Sequence, residues 1–131
     1  MKKIGTLNQP LSFVIAGLGH MDMLVIADAG LPIPSGTQRI DLALKRGIPG
    51  FIDTLQVILE EVQVESAIVA SEMLSTSPEI YQQLQKMLPG IPIDTIPHED
   101  FKGKTGEARA IVRTGEFTPY ANVILIAGVV F

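Results

Sequence analysis

The sequence predicts a single α/β domain over residues 1–131, with a largely parallel sheet flanked by helices in Rossmann-like layers. Short apolar runs bounded by turn residues recur along the chain and are typical of strands buried on both faces. Segments between them carry apolar residues at three- and four-residue spacing, which indicates amphipathic helices. Strands that alternate with helices form βαβ units, and a chain of this length buries about two-thirds of the surface that it exposes when unfolded.

Each predicted element follows from a local pattern. Asn8 caps the first helix, and Pro10 lies in its first turn, where the N–H that proline lacks would have no partner. The second helix repeats apolar residues every three or four positions from Asp53 onward. The third begins at Ser77, which is expected to cap it, with Pro78 in the first helical position. The predicted elements in chain order are a helix at 8–19, strands at 24–27 and 39–44, a helix at 53–62, a strand at 66–70, a helix at 77–88, a strand at 91–96, a helical turn at 98–102, and strands at 110–113 and 122–130.

The composition argues against several classes of function. The net charge is −4, the pI is about 5.0 and no Lys/Arg cluster is interleaved with aromatic residues, so neither nucleic acid nor an anionic membrane is a predicted partner. The chain has no run of about 18 apolar residues, the length that a membrane-spanning helix needs. The absence of cysteine removes disulfides, thiolate nucleophiles and cysteine-based zinc sites.

The predicted location is the cytoplasm. Lys2 and Lys3 precede the apolar stretch 11–19, an order that is also found in secretory signal peptides. However, Pro10 interrupts the approach, and His20 lies before the small-residue sequence that would serve as the cleavage site. A chain without cysteine is also compatible with a reducing compartment.

The apolar content predicts self-association. The hydrophobic fraction is 47% and the mean hydropathy is +0.34, both high for a soluble chain of this length. Because monomeric proteins rarely expose large apolar patches, the excess indicates that other subunits cover part of the surface. We therefore expect an assembly larger than a dimer.

Candidate site residues lie at strand ends. Asp28 follows the strand at 24–27, and ligands of open α/β sheets bind beyond the carboxyl ends of strands, although an isolated Asp there is also typical of a turn or cap. His20 and His98 are the only histidines, and imidazole suits acid–base chemistry near neutral pH; a structural or solvated role is the alternative for each. No HExxH or similar spacing supports a metal site.

The glycines at 17–22 do not form a dinucleotide-binding fingerprint. In GLGHMD they end a helix and precede a strand, whereas the phosphate-binding loop requires a strand, a glycine-rich turn and then a helix. No Walker motif and no GxSxG motif is present. The sequence therefore predicts no bound cofactor.

Polar residues also precede the last strand. Pro119 stiffens this approach, and in an extended segment Tyr120 and Asn122 would point to the same side. A phenol and an amide held together in this way suit the recognition of hydroxyl groups. A satisfied turn with a partly buried tyrosine is an equally good interpretation.

Four motifs together resemble the sugar-mutarotase family, to which ribose pyranases and fucose mutarotases belong. They are HMD…VIADAGLPIP at 20–34, IDLAL at 40–44, PHEDFK at 97–102 and VRTGEFTPYANVIL at 112–125. The resemblance extends over essentially the whole chain. Residues 82–90 match poorly and are predicted to belong to a surface helix.

This resemblance implies interconversion of the β-pyranose and β-furanose forms of D-ribose, without cofactor or metal. It also implies a ring-shaped cytoplasmic homo-oligomer, either a pentameric ring or a decamer. Carried over by position, His20 is the general acid, and Lys102 lies near the pocket. The sugar-contacting residues that the resemblance implies are Asp28, His98, Tyr120, Ala121 and Asn122.

Two alternative functions remain open. One is a fucose-type mutarotase that interconverts anomers, which a comparison of ribose and fucose exchange would distinguish. The other is a non-catalytic accessory protein that binds ribose and delivers it to a transporter or kinase. That protein would bind ribose saturably without accelerating exchange.

Overall fold

The computed structural model describes residues 1–131 and contains five α-helices, six strands and a short 3₁₀ turn at Thr105–Glu107. The helices are α1 (Gln9–Ala16), α2 (Phe51–Leu59), α3 (Glu72–Thr76), α4 (Pro78–Met87) and α5 (His98–Lys104). The strands are β1 (Met23–Ala27), β2 (Gln38–Asp41), β3 (Val64–Ala70), β4 (Ile93–Ile96), β5 (Ala110–Arg113) and β6 (Val123–Ala127).

The six strands form one mixed sheet in the order β2-β5-β1-β6-β3-β4. Three neighbouring pairs are parallel, but β6 is antiparallel to both β1 and β3. The predicted α/β domain is therefore confirmed, whereas the prediction of a largely parallel sheet is wrong at its centre. The reason lies in the connection from β5 to β6, residues 114–122, which contains no helix. A parallel crossover needs a dozen or more residues, so this shorter link returns the chain in the opposite direction.

Apolar side chains from both faces of the sheet fill two core clusters. Along β1, Leu24 and Ile26 belong to a cluster of 19 buried residues on the face covered by α1, α2 and α4. Val25 and Ala27 point to the other face, where seven buried residues include Phe101 of α5. This alternation explains why β1 is an uninterrupted apolar run, because both of its faces are buried.

Local capping signals located several helices correctly. Asn8 caps α1, and its Oδ1 accepts a hydrogen bond from the Leu11 N–H at 3.0 Å, as predicted. Ser77 and Pro78 stand at the predicted start of α4. The expectation that the Ser77 hydroxyl caps that helix is wrong, because it donates instead to the carbonyl of Pro119. No helix of the protein has the length and apolar character needed to cross a bilayer.

The last strand is shorter than predicted. β6 ends at Ala127, and the side chains of Val129 and Val130 are 42% and 84% exposed. Pairing stops there because β3 begins at Val64, the partner of Ala127, so residues beyond Gly128 have no neighbouring strand. Helix α3 was not predicted from the sequence.

Candidate active site

Asp28 and Asn122 form a reciprocal hydrogen-bonded pair at the carboxyl end of β1. The Asp28 N–H donates to Asn122 Oδ1 at 2.8 Å, and Asn122 Nδ2 donates to Asp28 Oδ2, also at 2.8 Å. The Gly30 N–H donates to Asp28 Oδ1 at 2.9 Å. These bonds fix both side-chain planes. Asn122 is completely buried, while Asp28 is half-buried at the edge of a cavity.

The direction of β6 explains why Asn122 reaches Asp28. Because β6 is antiparallel to β1, the residues that precede β6 lie beside the carboxyl end of β1. A parallel β6 would place Asn122 at the opposite end of the sheet. The one strand whose direction was not predicted is therefore the strand that brings these two residues together.

His98 and Tyr120 line the same cavity as Asp28, which has a volume of about 240 Å³. Their rings meet edge to face, with centroids 5.0 Å apart and an interplanar angle of 82°. The His98 ring also lies parallel to the ring of Phe101, at 6.3 Å. Because pockets that bind drug-sized ligands measure about 300–1,000 Å³, a cavity of this size suits a smaller molecule such as a monosaccharide.

Tyr120 lies in a turn rather than in the extended segment that was predicted. Its φ is +61°, and the Asn122 N–H donates to the Tyr120 carbonyl at 2.8 Å. The prediction that an extended segment points Tyr120 and Asn122 to the same side is therefore wrong. Both residues nevertheless face the Asp28 region. Ala121 is fully buried in the core, so its predicted contact with the sugar stays a prediction.

Glu72 holds the backbone at His98. Both of its carboxylate oxygens accept from the His98 N–H, at 3.0 and 3.2 Å. Hydrogen bonds from its own N–H, from the His98 N–H and from the Ser71 hydroxyl lower the pKa of Glu72, although burial opposes them.

His98 Nδ1 is buried without a hydrogen-bond partner, which leaves Nε2 as the ring nitrogen that can reach a ligand. Glu72 follows β3 as Asp28 follows β1. Position just beyond the carboxyl end of a strand is therefore the sequence signal by which both residues can be recognised as site candidates.

A second cavity of about 330 Å³ adjoins the first and shares Asp28 and Gly30 with it. Glu116 organises its wall: the carboxylate accepts from the Phe51 N–H at 3.1 Å and from the Thr118 hydroxyl at 2.7 Å. Burial alone would raise the pKa of Glu116, but these bonds and those from the N–H groups of residues 117 and 118 lower it overall. The conformation of the loop therefore depends on an ionised carboxylate.

His20 lies in a tight loop between α1 and β1. Asp22 holds this loop, since its carboxylate accepts from the Gly19 N–H at 2.8 Å and from Arg109 Nε at 2.9 Å. These two hydrogen bonds lower the pKa of Asp22, and the bond from the Gly19 N–H has the larger effect. Met21, next to His20, has a φ of +69°; it and Tyr120 are the only non-glycine residues with positive φ. Both therefore lie at or beside residues predicted to act on the sugar.

Within one chain, His20 is remote from the other predicted site residues. It precedes β1, whereas Asp28 follows it, and at roughly 3.3 Å per residue the five-residue strand between them is about 13 Å long. The His20 side chain is 52% exposed, and its Nε2 lies 2.7 Å from Glu65 Oε2. It lines a groove of about 520 Å³ whose other walls include the C-terminal residues 127–131.

Residues 1–130 match the sequence model of the RbsD / FucU transport protein family. The chain belongs to the RbsD/FucU family. Among related members, the D-ribose pyranases of Coprothermobacter proteolyticus and Laribacter hongkongensis are 58% and 56% identical to it, over the full length of each protein. RbsD of Bacillus subtilis, solved in complex with D-ribose, is 50% identical and superposes with a TM-score of 0.97 over the whole of both chains.

The same fold extends to the fucose branch of the RbsD/FucU family. The fucose mutarotase of Streptococcus pneumoniae, solved with L-fucose, is 28% identical and superposes with a TM-score of 0.84 over the whole of both chains. The family resemblance read from the four sequence motifs is thus confirmed. The higher identity to the D-ribose pyranases places this RbsD/FucU chain nearer to the ribose branch than to that fucose mutarotase.

In this RbsD/FucU chain, Lys102 does not line the cavity that contains His98. Its Nζ pairs with Glu99 Oε1 at 2.6 Å on the same helix, so its predicted role near the sugar stays a prediction. Nowhere in the chain do three or more His, Cys, Asp or Glu side chains gather as a possible set of metal ligands. The predicted residues that one chain brings together are Asp28, His98, Tyr120 and Asn122.

Proposed function

We propose that this protein is a D-ribose pyranase, an isomerase that interconverts the β-pyranose and β-furanose forms of D-ribose. The observation that carries the proposal is the cluster of Asp28, His98 and Tyr120 around a cavity of about 240 Å³, in a chain that closely resembles a ribose-bound relative over its full length. The proposed location is the cytoplasm, which the cysteine-free composition favours.

The reaction requires only proton transfers. Water takes the proton of the anomeric hydroxyl as the C1=O1 double bond forms, while the bond from C1 to the ring oxygen O5 breaks and O5 takes a proton from the general acid. In the open-chain aldehyde, the O4 hydroxyl then attacks C1 and gives its proton to the deprotonated acid–base group, and O1 takes a proton back from water. One positioned acid–base group accelerates such steps by about 10²–10⁴-fold, which suffices for a reaction that also proceeds unaided in water.

The cavity residues orient an uncharged polyol in this proposal. Asp28 keeps lone pairs free after accepting from Gly30 and Asn122, so its carboxylate can accept a sugar hydroxyl. His98 Nε2 and the Tyr120 hydroxyl supply further polar contacts on the other side of the cavity. The edge-to-face packing of the His98 and Tyr120 rings holds both groups in place without an ion pair.

His20 acts as the general acid on a ribose held by a neighbouring subunit. This step of the proposal follows from the position of His20 at the far end of β1 and from its exposure to solvent. A contact between the His20 face of one subunit and the Asp28 face of the next joins two different surfaces, and such head-to-tail contacts close into rings. The proposed assembly is accordingly a pentameric ring or a decamer.

Saturation-transfer NMR of ribose tests the activity. The protein is expected to accelerate pyranose–furanose exchange, and His20→Ala and Asp28→Asn are each expected to abolish the acceleration. Because these two residues belong to different subunits at each site, mixing the two variants after dissociation and reassembly should restore part of the activity. Full exchange by His20→Ala would remove His20 from the mechanism, and a mixture that stays inactive would argue against a shared site.

The same assay separates the alternatives. A fucose-type mutarotase would accelerate the exchange of fucose anomers more than that of ribose, in line with the relative that binds L-fucose. A protein that only binds ribose would show saturable binding in calorimetry and leave the exchange rate of ribose unchanged.

A further inference from the structure

Glu65 is the only carboxylate in contact with the His20 ring. Its Oε2 lies 2.7 Å from His20 Nε2, and the two side chains are 50% and 52% exposed. The neighbouring carboxylates are engaged elsewhere: that of Asp22 accepts from Gly19 and Arg109, and that of Glu61 accepts from the Thr6 N–H and lies 3.7 Å from Lys2 Nζ. Glu65 is therefore the one carboxylate that is placed to act on the His20 ring.

The backbone directs Glu65 toward His20 through an irregularity in the sheet. Val64 pairs with Ala127 and Ser66 pairs with Ile126, so two steps on β3 face one step on β6, and Glu65 is the extra residue of a β-bulge. Bulges re-aim side chains and are common beside active sites. Gly128 leaves room for this arrangement, since a Cβ atom at that position would lie 3.0 Å from the Cβ of Glu65.

We propose that Glu65 is a positioning residue: it accepts the Nε2–H of His20, so that Nδ1 is the nitrogen that exchanges protons with the sugar. This inference rests on the proposed function. A carboxylate has no proton to donate at neutral pH, so it selects the tautomer in which Nε2 carries the hydrogen. The doubly protonated ring gives its Nδ1 proton to the ring oxygen as the ring opens. The neutral ring then takes the proton of the hydroxyl that closes the new ring, again at Nδ1.

A plain surface ion pair is the competing interpretation, because half-exposed pairs contribute little to stability. The two interpretations differ in what Glu65→Ala changes. A surface pair predicts no effect on the tautomer of His20 or on turnover. A positioning residue predicts that both change, while the melting temperature stays near that of the wild type.

The imidazole ¹⁵N spectrum gives a readout that does not depend on activity. The chain has two histidines, so the spectrum is simple, and His20→Ala identifies which signals belong to His20. In the neutral His20 ring of the wild type, Nε2 should show the chemical shift of a protonated nitrogen and Nδ1 that of an unprotonated one. Glu65→Ala should mix the two tautomers. A wild-type ring with Nδ1 protonated would overturn the proposal.

Exchange kinetics give the second readout. Glu65→Ala is expected to lower the maximal exchange rate by about tenfold, less than the loss known for a buried carboxylate that fixes a catalytic histidine, because this pair is half-exposed. The apparent KM for ribose should not change, since Glu65 does not touch the sugar cavity. Glu60→Ala is the matched control, because Glu60 is exposed and contacts neither histidine, and it should behave as the wild type.

A third variant tests the bulge. Gly128→Ala places a methyl group against the Cβ of Glu65 and should produce the same mixed tautomers and slower exchange, with Glu65 itself intact. An unchanged tautomer and an unchanged rate in both Glu65→Ala and Gly128→Ala would overturn the proposal. Failure of the proposed function is a separate result, namely a wild-type protein that does not accelerate ribose exchange while its His20 tautomer is the one expected.

Discussion

At the scale of single residues, the candidate site is built from polar groups that satisfy one another before a ligand binds. Asn122 gives both ends of its amide to Asp28, accepting from its N–H and donating to its carboxylate. Glu72 uses both carboxylate oxygens on the His98 N–H. Such pairs hold their side chains in one orientation without cost at the moment of binding, which is the requirement for recognising a small neutral molecule.

The substitution Asn122→Ala tests this pre-organisation. It leaves the Asp28 N–H without an acceptor in a buried site, which should lower the free energy of unfolding by about 1–3 kcal/mol and weaken ribose binding. Urea denaturation and the KM of exchange measure the two effects. Asn8→Ala is the control: it removes the cap of α1 at a cost of about 1 kcal/mol and should leave exchange unchanged. An Asn122→Ala variant as stable as the wild type would contradict the expectation.

Individual site residues were easier to predict from the sequence than their contacts. Asp28 was found because it follows a short apolar run, and this placement is local. The bond between Asp28 and Asn122 spans 94 positions of the chain and depends on the direction of β6, which no local pattern encodes. The separation of His20 from Asp28, by contrast, follows from the predicted strand at 24–27, because the two residues lie at its opposite ends.

At the scale of elements, the loop 114–122 decides the geometry of the site. It reverses the chain between β5 and β6, carries Glu116 and Tyr120, and ends at Asn122. Helix starts could be predicted because caps and prolines act within a few residues. The return direction of β6 could not be read from its apolar sequence, since a strand buried on both faces has the same pattern in either direction.

Gly115 is the tightest point of this loop. A Cβ atom there would lie 2.7 Å from both the N and the O of Ile48, and backbone atoms cannot move aside as a side chain can. Gly115→Ala should therefore destabilise the fold by at least about 1–3 kcal/mol, as overpacking does, and should slow exchange by displacing Glu116. Gly106→Ala is the matched control, since no atom lies within 4 Å of its added Cβ. Thermal unfolding of both variants would reveal the difference, and equal melting temperatures would refute it.

Glu116 makes the loop sensitive to acid. Its pKa in the folded protein is lower than its ordinary value, because hydrogen bonds to the ionised form outweigh the effect of burial. The stability that it contributes is therefore fully present above its ordinary pKa and is lost as the pH falls through the lowered folded value. Glu116→Gln should be less stable than the wild type at pH 7, and the difference should narrow below about pH 4. Denaturation curves at several pH values measure this, and a difference that is constant with pH would rule it out.

At the scale of the whole molecule, one chain presents its predicted functional groups at two separate ends. The sugar-sized cavity lies at the carboxyl end of β1, and His20 lies at the other end beside an exposed apolar C-terminus. Val130 and Phe131 are 84% and 101% exposed, which is unfavourable for an isolated monomer. We therefore expect another subunit to cover this surface, because it is apolar and because the proposed mechanism uses His20 in a neighbour's site.

Placing a charge on this surface should separate folding from function. Val130 lies outside the core, so Val130→Glu should keep the secondary structure and melting behaviour of an intact subunit. It should also shift the assembly toward smaller species in light scattering at micromolar concentration, because a buried unpaired carboxylate is unfavourable at an interface. Exchange should fall in the same proportion as the large species, since in the proposed assembly each complete site takes His20 from a neighbour. Val57→Glu on α2, which lines neither the His20 groove nor the sugar cavity, is the control. A monomeric Val130→Glu protein with full exchange activity would mean that one chain completes the site by itself.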